Sequence, residues 1–211
     1  MPEKNTVPLL SPKFALALQF ANEIHSTQVR KGLGAPYISH LMAVSAYVLE
    51  YGGDETQAIA ALLHDAAEDC GGRPMLETVR VLFGEGVAEI VAACTDSWAD
   101  SPENKMDWKP RKTAYLQGLA DEPARAKLVS CADKLHNLSN TLRDIQVEGV
   151  DAWKARMAKT QNSSADKQLW YYSECFKALS QGWSNPMLKT FGGAVEELRV
   201  LVDSGSAHVQ D

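Results

Sequence analysis

Apolar residues recur every three to four positions over most of the chain, and turn formers fall between these runs. Ser11-Pro12 supplies a helix N-cap followed by proline in the first turn, and Phe14, Leu18, Ala21 and Ile24 then keep helical spacing to about Val29. Ser39 can cap a second helix carrying Leu41, Val44 and Val48, which Gly52-Gly53 stops. Asp54 caps a third, predicted to run through Ile59, Leu62 and Leu63 to about Asp69. Gly71-Gly72-Arg73-Pro74 reads as a loop, followed by two shorter helices over 75–83 and 85–95 on either side of Gly84. The polar stretch 96–110 is the longest predicted loop. Helical pattern resumes at 110–119. Asp121 and Pro123 start a helix with Leu128, Val129, Ala132, Leu135 and Leu138 on its apolar positions, and a short helix covers 151–160. Ser163 and Ser164 open another, holding Trp170, Tyr171 and Phe176, and Asn185-Pro186 opens the last, which ends near Val202. Strict polar–apolar alternation is scarce, so strands have little support. The expected fold is a single all-α domain over residues 8–203, with 204–211 as a disordered tail.

Composition narrows the class. The 211 residues are 45% hydrophobic and 23% charged, a balance that excludes fibres and general disorder. A net charge of −6 removes the broad basic footprint of a nucleic-acid or anionic-membrane binder, so a nuclease is disfavoured. No apolar run approaches the roughly 20 residues needed to span a bilayer. The opening MPEKNTVPLLSPKF lacks the apolar core of a signal peptide. Cys70, Cys94, Cys131 and Cys175 form no CxxC pair, which suits reduced thiols in a cytoplasmic protein.

Three segments carry chemistry. His64-Asp65-Ala66-Ala67-Glu68-Asp69 crowds three carboxylates and an imidazole against the negative end of an otherwise apolar helix. A cation would relieve that conflict; the plain alternative is a solvated acidic helix end. His40 lies in the first turn of its helix, a few residues after Arg30-Lys31. Those two cations either answer the dipole of the preceding helix or hold a phosphate or base. Asp133, Asn137 and Asn140 stand at i, i+4 and i+7 on an apolar helix, and Asp and Asn are poor helix-interior residues, so the stripe is expected to line a cavity. Taken together, His40, His64-Asp65 and Asp133 give the order H…HD…D. Two neutral imidazoles and two carboxylates suit a divalent ion such as Mn²⁺, Fe²⁺ or Zn²⁺.

Around these residues, QVRKGLGAPYISHLMAV, ALLHDAAEDCGG and AKLVSCADKLHNL resemble the HD-domain metal-dependent phosphohydrolases. More narrowly they resemble the alarmone hydrolases, that is, the hydrolase half of RelA/SpoT proteins and the free-standing small alarmone hydrolases. The match in order and spacing runs from about residue 10 to 182. The resemblance implies a helical bundle holding one Mn²⁺, in preference to Zn²⁺ or Fe²⁺, on His40, His64, Asp65 and Asp133. It implies that Glu68 and Asp69 position and activate the attacking water, that Arg30 and Lys31 flank the guanine base, and that Asn137 contacts the nucleoside. Asn140 stands where the family usually carries Thr or Asp. The motif HDAAED replaces HD.VED, and Ser139 replaces the common Arg of ADKLHNLR. The implied activity is hydrolysis of the 3′-diphosphate of ppGpp and pppGpp to GDP or GTP plus pyrophosphate. With the chain ending at Asp211, a dedicated hydrolase without synthesis activity is expected. The rivals are an HD-fold phosphatase for another nucleotide such as NADPH, and a non-enzymatic alarmone-binding protein.

Other polar residues read as supporting parts. His25 and His136 are expected to pack beside the site, His25 to orient a ligand or brace the loop after Val29, and His208 to lie in the tail. Lys109, Arg111 and Lys112 read as a solvated helix start in preference to a phosphate clamp. Trp170, Tyr171, Tyr172 and Phe176 read as core, and Cys70 as a small packing residue.

Overall fold

A computed structural model describes residues 10–30, 34–98, 106–159 and 164–204. Lys31, His208 and the expected tail beyond residue 204 lie outside the described residues. The helices are α1 (Pro12–Ile24), α2 (Ile38–Glu50), α3 (Glu55–Leu63), α4 (Ala66–Asp69), α5 (Gly72–Phe83), α6 (Glu85–Cys94), α7 (Trp108–Asp121), α8 (Ala124–Glu148), α9 (Val150–Ala158), α10 (Ala165–Leu179) and α11 (Pro186–Ser204). Among the described residues the one β feature is an isolated antiparallel bridge between Val29 and Pro36. The all-α reading therefore holds.

Two helices build the interior. In α3, Gln57 through Leu63 are all buried, so this short helix is apolar on every side and packs against α1, α2, α6 and α8. Its start is fixed by a capping box: Asp54 Oδ1 accepts from Gln57 N at 2.8 Å and Gln57 Oε1 accepts from Asp54 N at 3.0 Å. In α8, ten consecutive residues from Ala126 to Leu135 are buried, and the helix packs against α2, α3, α6, α9, α10 and α11. Its buried Lys127 donates to the carbonyls of Ala120 at 2.7 Å and Gln181 at 2.6 Å, near the ends of α7 and α10, which satisfies orphan helix carbonyls.

Four expected boundaries move. The first helix ends at Ile24, not near Val29, because residues 28–30 leave it to pair with 35–37: Arg30 N donates to Ala35 O at 2.8 Å and Tyr37 N to Gln28 O at 3.1 Å. Arg30 is consequently not a dipole-capping residue. Ser39 is not the cap of α2; Tyr37 holds that position, and the Ser39 hydroxyl donates back to Pro36 O at 2.8 Å. The helix begun at Asp54 does not reach Asp69 but breaks at His64-Asp65. The stretch Gly72–Pro74 is the first turn of α5, not a loop, since proline is tolerated there and Gly71 and Gly72 take the positive φ of the entry, 131° and 62°.

Gly53 is where the α2–α3 turn presses on the rest of the bundle. A Cβ there would lie 2.4 Å from Val48 Cγ1 and 2.8 Å from the Val48 carbonyl oxygen. Gly53→Ala is expected to cost about 1–3 kcal/mol, the usual penalty of overpacking. A thermal melt of the variant should fall by several degrees; an unchanged melt would contradict this packing.

Candidate metal and active site

The break between α3 and α4 presents the site. Leu63 ends the buried helix, and His64 and Asp65 form the turn that starts the short α4. Asp65 thereby faces α2 and α8. His40 Nε2 lies 3.8 Å from Asp65 Oδ2 and 3.2 Å from Asp133 Oδ1, while His64 Nε2 lies 3.1 Å and 3.5 Å from the same two oxygens. Three helical regions thus bring two imidazole nitrogens and an Asp65 oxygen together, with Asp133 Oδ1 against both imidazoles and with His40, His64 and Asp133 buried.

Each donor is aimed by a neighbour. His64 Nδ1 lies 2.8 Å from Ala61 O, so it carries the proton and leaves Nε2 as a lone pair. That Nε2 is buried and has no hydrogen-bond partner. An orphaned ring nitrogen facing two carboxylates is the donor set a divalent cation satisfies. His40 Nδ1 meets His136 Nδ1 at 2.7 Å, and burial, with His40 and Arg30 nearby, pushes the His136 pKa down to about 4. Neutral His136 accepts from His40, which turns the His40 Nε2 lone pair to the cluster. The Tyr37 hydroxyl donates to Asp65 Oδ2 at 2.5 Å. Lys134 pairs with Asp133 Oδ2, and the Asn137 amide donates to Oδ1 at 2.5 Å.

The electrostatics point the same way. Burial disfavours a charge on His64, yet Asp65 and Asp133 outweigh it and hold its pKa well above the ordinary value. The raised pKa describes the basicity of the Nε2 lone pair: the two carboxylates draw positive charge to the spot between them, whether a proton or a divalent ion. Burial works against ionised Asp133, but Lys134 and the two imidazoles hold its pKa well below the usual carboxylate range.

Glu68 and Asp69 occupy the turn that follows. Asp69 N donates to Asp65 O at 2.9 Å, and the Asp69 carboxylate accepts from Gln28 Nε2 at 3.4 Å. Arg111 Nη1 lies 3.8 Å from Glu68 Oε1 and also pairs with Asp96 Oδ1 at 2.5 Å; Lys112 pairs with Asp96 Oδ2. Arg111 and Lys112 are therefore not a solvated helix start but a braced cationic wall beside Glu68. Burial alone would raise the Asp96 pKa; Lys112 and Arg111 bring it down to about 2. Lys109, by contrast, is exposed and rests over the Trp170 ring.

On the other side of the cluster, Arg30 Nη2 donates to Asn137 Oδ1 at 2.7 Å. A pocket of about 290 Å³ opens there, lined by Arg30, Ala35, Ser39, His136, Asn140, Arg143 and Asp144. The Asn140 amide donates to His136 O at 2.8 Å within its helix. Of the polar stripe expected to line a cavity, Asn140 does so, while Asp133 and Asn137 bond to each other and Asn137 to Arg30.

The model of the HD domain matches residues 17–160, a span that holds His40, His64, Asp65 and Asp133. The chain belongs to the HD-domain family. A Drosophila melanogaster protein named guanosine-3′,5′-bis(diphosphate) 3′-pyrophosphohydrolase is 36% identical over 146 residues, covering 68% of this chain and 75% of its own length. A longer Synechocystis protein, named as a probable enzyme of the same activity, is 32% identical over 122 residues; these cover 58% of this chain and 16% of the relative. Among solved structures, one described as a metazoan ortholog of SpoT that hydrolyses ppGpp superposes with a TM-score of 0.70. It is 29% identical, and the alignment covers 92% of this chain and 98% of that one.

Within this HD domain, the motif residues His40, His64, Asp65 and Asp133 come together, Glu68 and Asp69 follow them, Arg30 and Asn140 line the adjoining pocket, and Asn137 holds the Arg30 guanidinium. His136 and His25 are supporting residues, as expected: His25 Nδ1 bonds the Gln28 side chain that reaches Asp69, and its ring stacks on Tyr37 at 5.1 Å. Tyr171 and Tyr172 are core. Burial, with Asp69 and Asp65 nearby, pushes the Cys70 thiol up to about 11, which keeps it unreactive. Sequence reasoning missed Tyr37, Lys134 and Asp96. Tyr37 had a signal, since it stands three residues before His40.

Proposed function

We propose that this HD domain is a cytoplasmic, Mn²⁺-dependent hydrolase that removes the 3′-diphosphate of guanosine alarmones, yielding GDP or GTP plus pyrophosphate. The convergence of His40, His64, Asp65 and Asp133 on a buried, unpartnered His64 Nε2 carries the reading. The names of its relatives supply the substrate. Four free cysteines fit a reducing compartment; among the described residues no helix is long and apolar enough to cross a membrane.

His40, His64, Asp65 and Asp133 would hold the ion. When bound, the cation polarises the phosphoryl group and makes nearby water more acidic. Glu68 accepts the proton as the water oxygen attacks the phosphorus next to the 3′ oxygen. The P–O3′ bond breaks, and its electron pair stays on the 3′ oxygen, which takes up a proton. Asp69, tied through Gln28 to His25, orients the water. Arg111, beside Glu68, offers positive charge to the departing pyrophosphate. Arg30 and Lys31 hold the nucleoside, with Asn137 fixing the Arg30 guanidinium and Asn140 bordering the pocket.

The test is release of pyrophosphate and of orthophosphate, measured separately, from a panel of 3′-diphosphorylated and ordinary nucleotides, NADPH included, with Mn²⁺, Zn²⁺ or Fe²⁺ supplied in turn. Release from ppGpp and pppGpp, strongest with Mn²⁺, is expected. Turnover of NADPH alone would contradict the assignment. The Arg30→Ala/Lys31→Ala variant is expected to raise KM about tenfold or more with bound metal unchanged, since charge-assisted bonds of this kind contribute about 1.5–3 kcal/mol each. An unchanged KM would remove both residues from the binding site.

A further inference from the structure

The polar face of α8 continues past Asn140. Asp133, Asn137, Asn140 and Asp144 stand at i, i+4, i+7 and i+11, so one face runs from the metal cluster to Asp144. At 1.5 Å per residue this face is about 16 Å long. That length accommodates a nucleotide with a contact at each end. The 290 Å³ pocket occupies its far half, and Asp144 contributes to the lining together with Arg30, Asn140 and Arg143.

Asp144 is a prepared acceptor. Arg156 of α9 donates to Asp144 Oδ2 at 3.1 Å and is itself anchored on Glu148, with Nε 3.0 Å and 3.2 Å from its two oxygens. That tie fixes the carboxylate plane and uses one of about four acceptor directions. The other polar groups of the lining are guanidiniums, the Ser39 hydroxyl, the Asn140 amide and the His136 imidazole. Asp144 is the one anionic group among them.

We propose that Asp144 reads the base, accepting the N1–H and N2–H of guanine while the Arg30 and Arg143 guanidiniums flank the ring. This rests on the hydrolase reading above and names the residue that makes it guanine-specific. A carboxylate accepts two parallel N–H groups, and guanine presents two on its Watson–Crick edge. Hypoxanthine offers one. Adenine turns its N1 lone pair toward the same oxygens and is repelled. Arginine planes are ordinary stacking partners for a splayed-out base.

The experiment compares wild type and Asp144→Asn on the 3′,5′-bis(diphosphates) of guanosine, inosine, adenosine and xanthosine, with bound metal measured in both proteins. Wild type is expected to favour guanosine over inosine and adenosine by about 10- to 100-fold in kcat/KM, the usual worth of a bidentate base contact. Asp144→Asn should retain metal and reverse the order of guanosine and xanthosine, because an amide accepts from xanthine N1–H and donates to its 2-oxo group. If wild type cleaves the guanosine substrate and Asp144→Asn keeps the guanosine preference, the base-reading role is overturned and the hydrolase reading stands. Equal turnover of guanosine and adenosine substrates by wild type has the same consequence. Wild type that cleaves none of the four overturns both.

Discussion

Asp133→Ala is expected to abolish metal binding and hydrolysis together, and also to destabilise the fold. The substitution removes one of two carboxylates in the cluster, so a divalent ion between His40, His64 and Asp65 loses half of its compensating charge. It also strips the partner from Lys134, which is buried against the Tyr115 ring at 5.0 Å and pairs with Asp133 Oδ2. Breaking a buried pair by removing one partner costs about 3–5 kcal/mol. The two effects separate in a double variant. Asp133→Ala/Lys134→Met leaves no orphaned ammonium and should recover much of the lost melting temperature, yet bind no metal. Metal analysis and thermal melts of both variants check this. Recovery of metal in the double variant would show that Asp133 is not a ligand.

Glu68→Gln is expected to behave in the opposite way. It keeps size and hydrogen bonding but removes the basic carboxylate, so metal content and nucleotide affinity should persist while turnover falls by about 10²–10⁴, the usual worth of a positioned base. Arg111 and Asp96 flank Glu68 and are joined to each other, so the neighbourhood is held without it. Loss of metal from Glu68→Gln would move Glu68 into the ligand set.

The periodicity of the chain was enough to read the helical architecture, because helix caps and glycine stops are local chemistry: Ser11, Asp54, Gly84 and Asn185 act where their residue types predict. The break at His64-Asp65 was not legible. Both residues keep backbone angles in the helical region, and what turns Asp65 into the site is its place among Tyr37, His40 and His64, which lie on other elements or across the turn. The end of α1 was over-extended for a similar reason. Val29 continues the apolar pattern, but its backbone is captured by Pro36 seven residues on.

The convergence of His40, His64, Asp65 and Asp133 was legible through spacing and family motif, since H…HD…D uses side chains whose chemistry is unusual in apolar helices. The supporting shell was not. Lys134 follows Asp133 directly and would point to another face of an ideal surface helix, yet both are buried at the centre of α8 and share an ion pair. Arg111 and Lys112 read as solvent-facing because their partner, Asp96, precedes them by fifteen and sixteen positions, across the stretch expected to be a loop. Charge pairing over such a separation leaves no periodic trace in the sequence.

The central claim is that water, activated beside His40, His64, Asp65 and Asp133, attacks phosphorus and expels the 3′ oxygen of a guanosine nucleotide. Hydrolysis of ppGpp in ¹⁸O-labelled water, with the products weighed by mass spectrometry, tests it most directly. The account predicts one ¹⁸O in pyrophosphate and none in GDP. Label in the nucleotide, or orthophosphate as the released product, would contradict it.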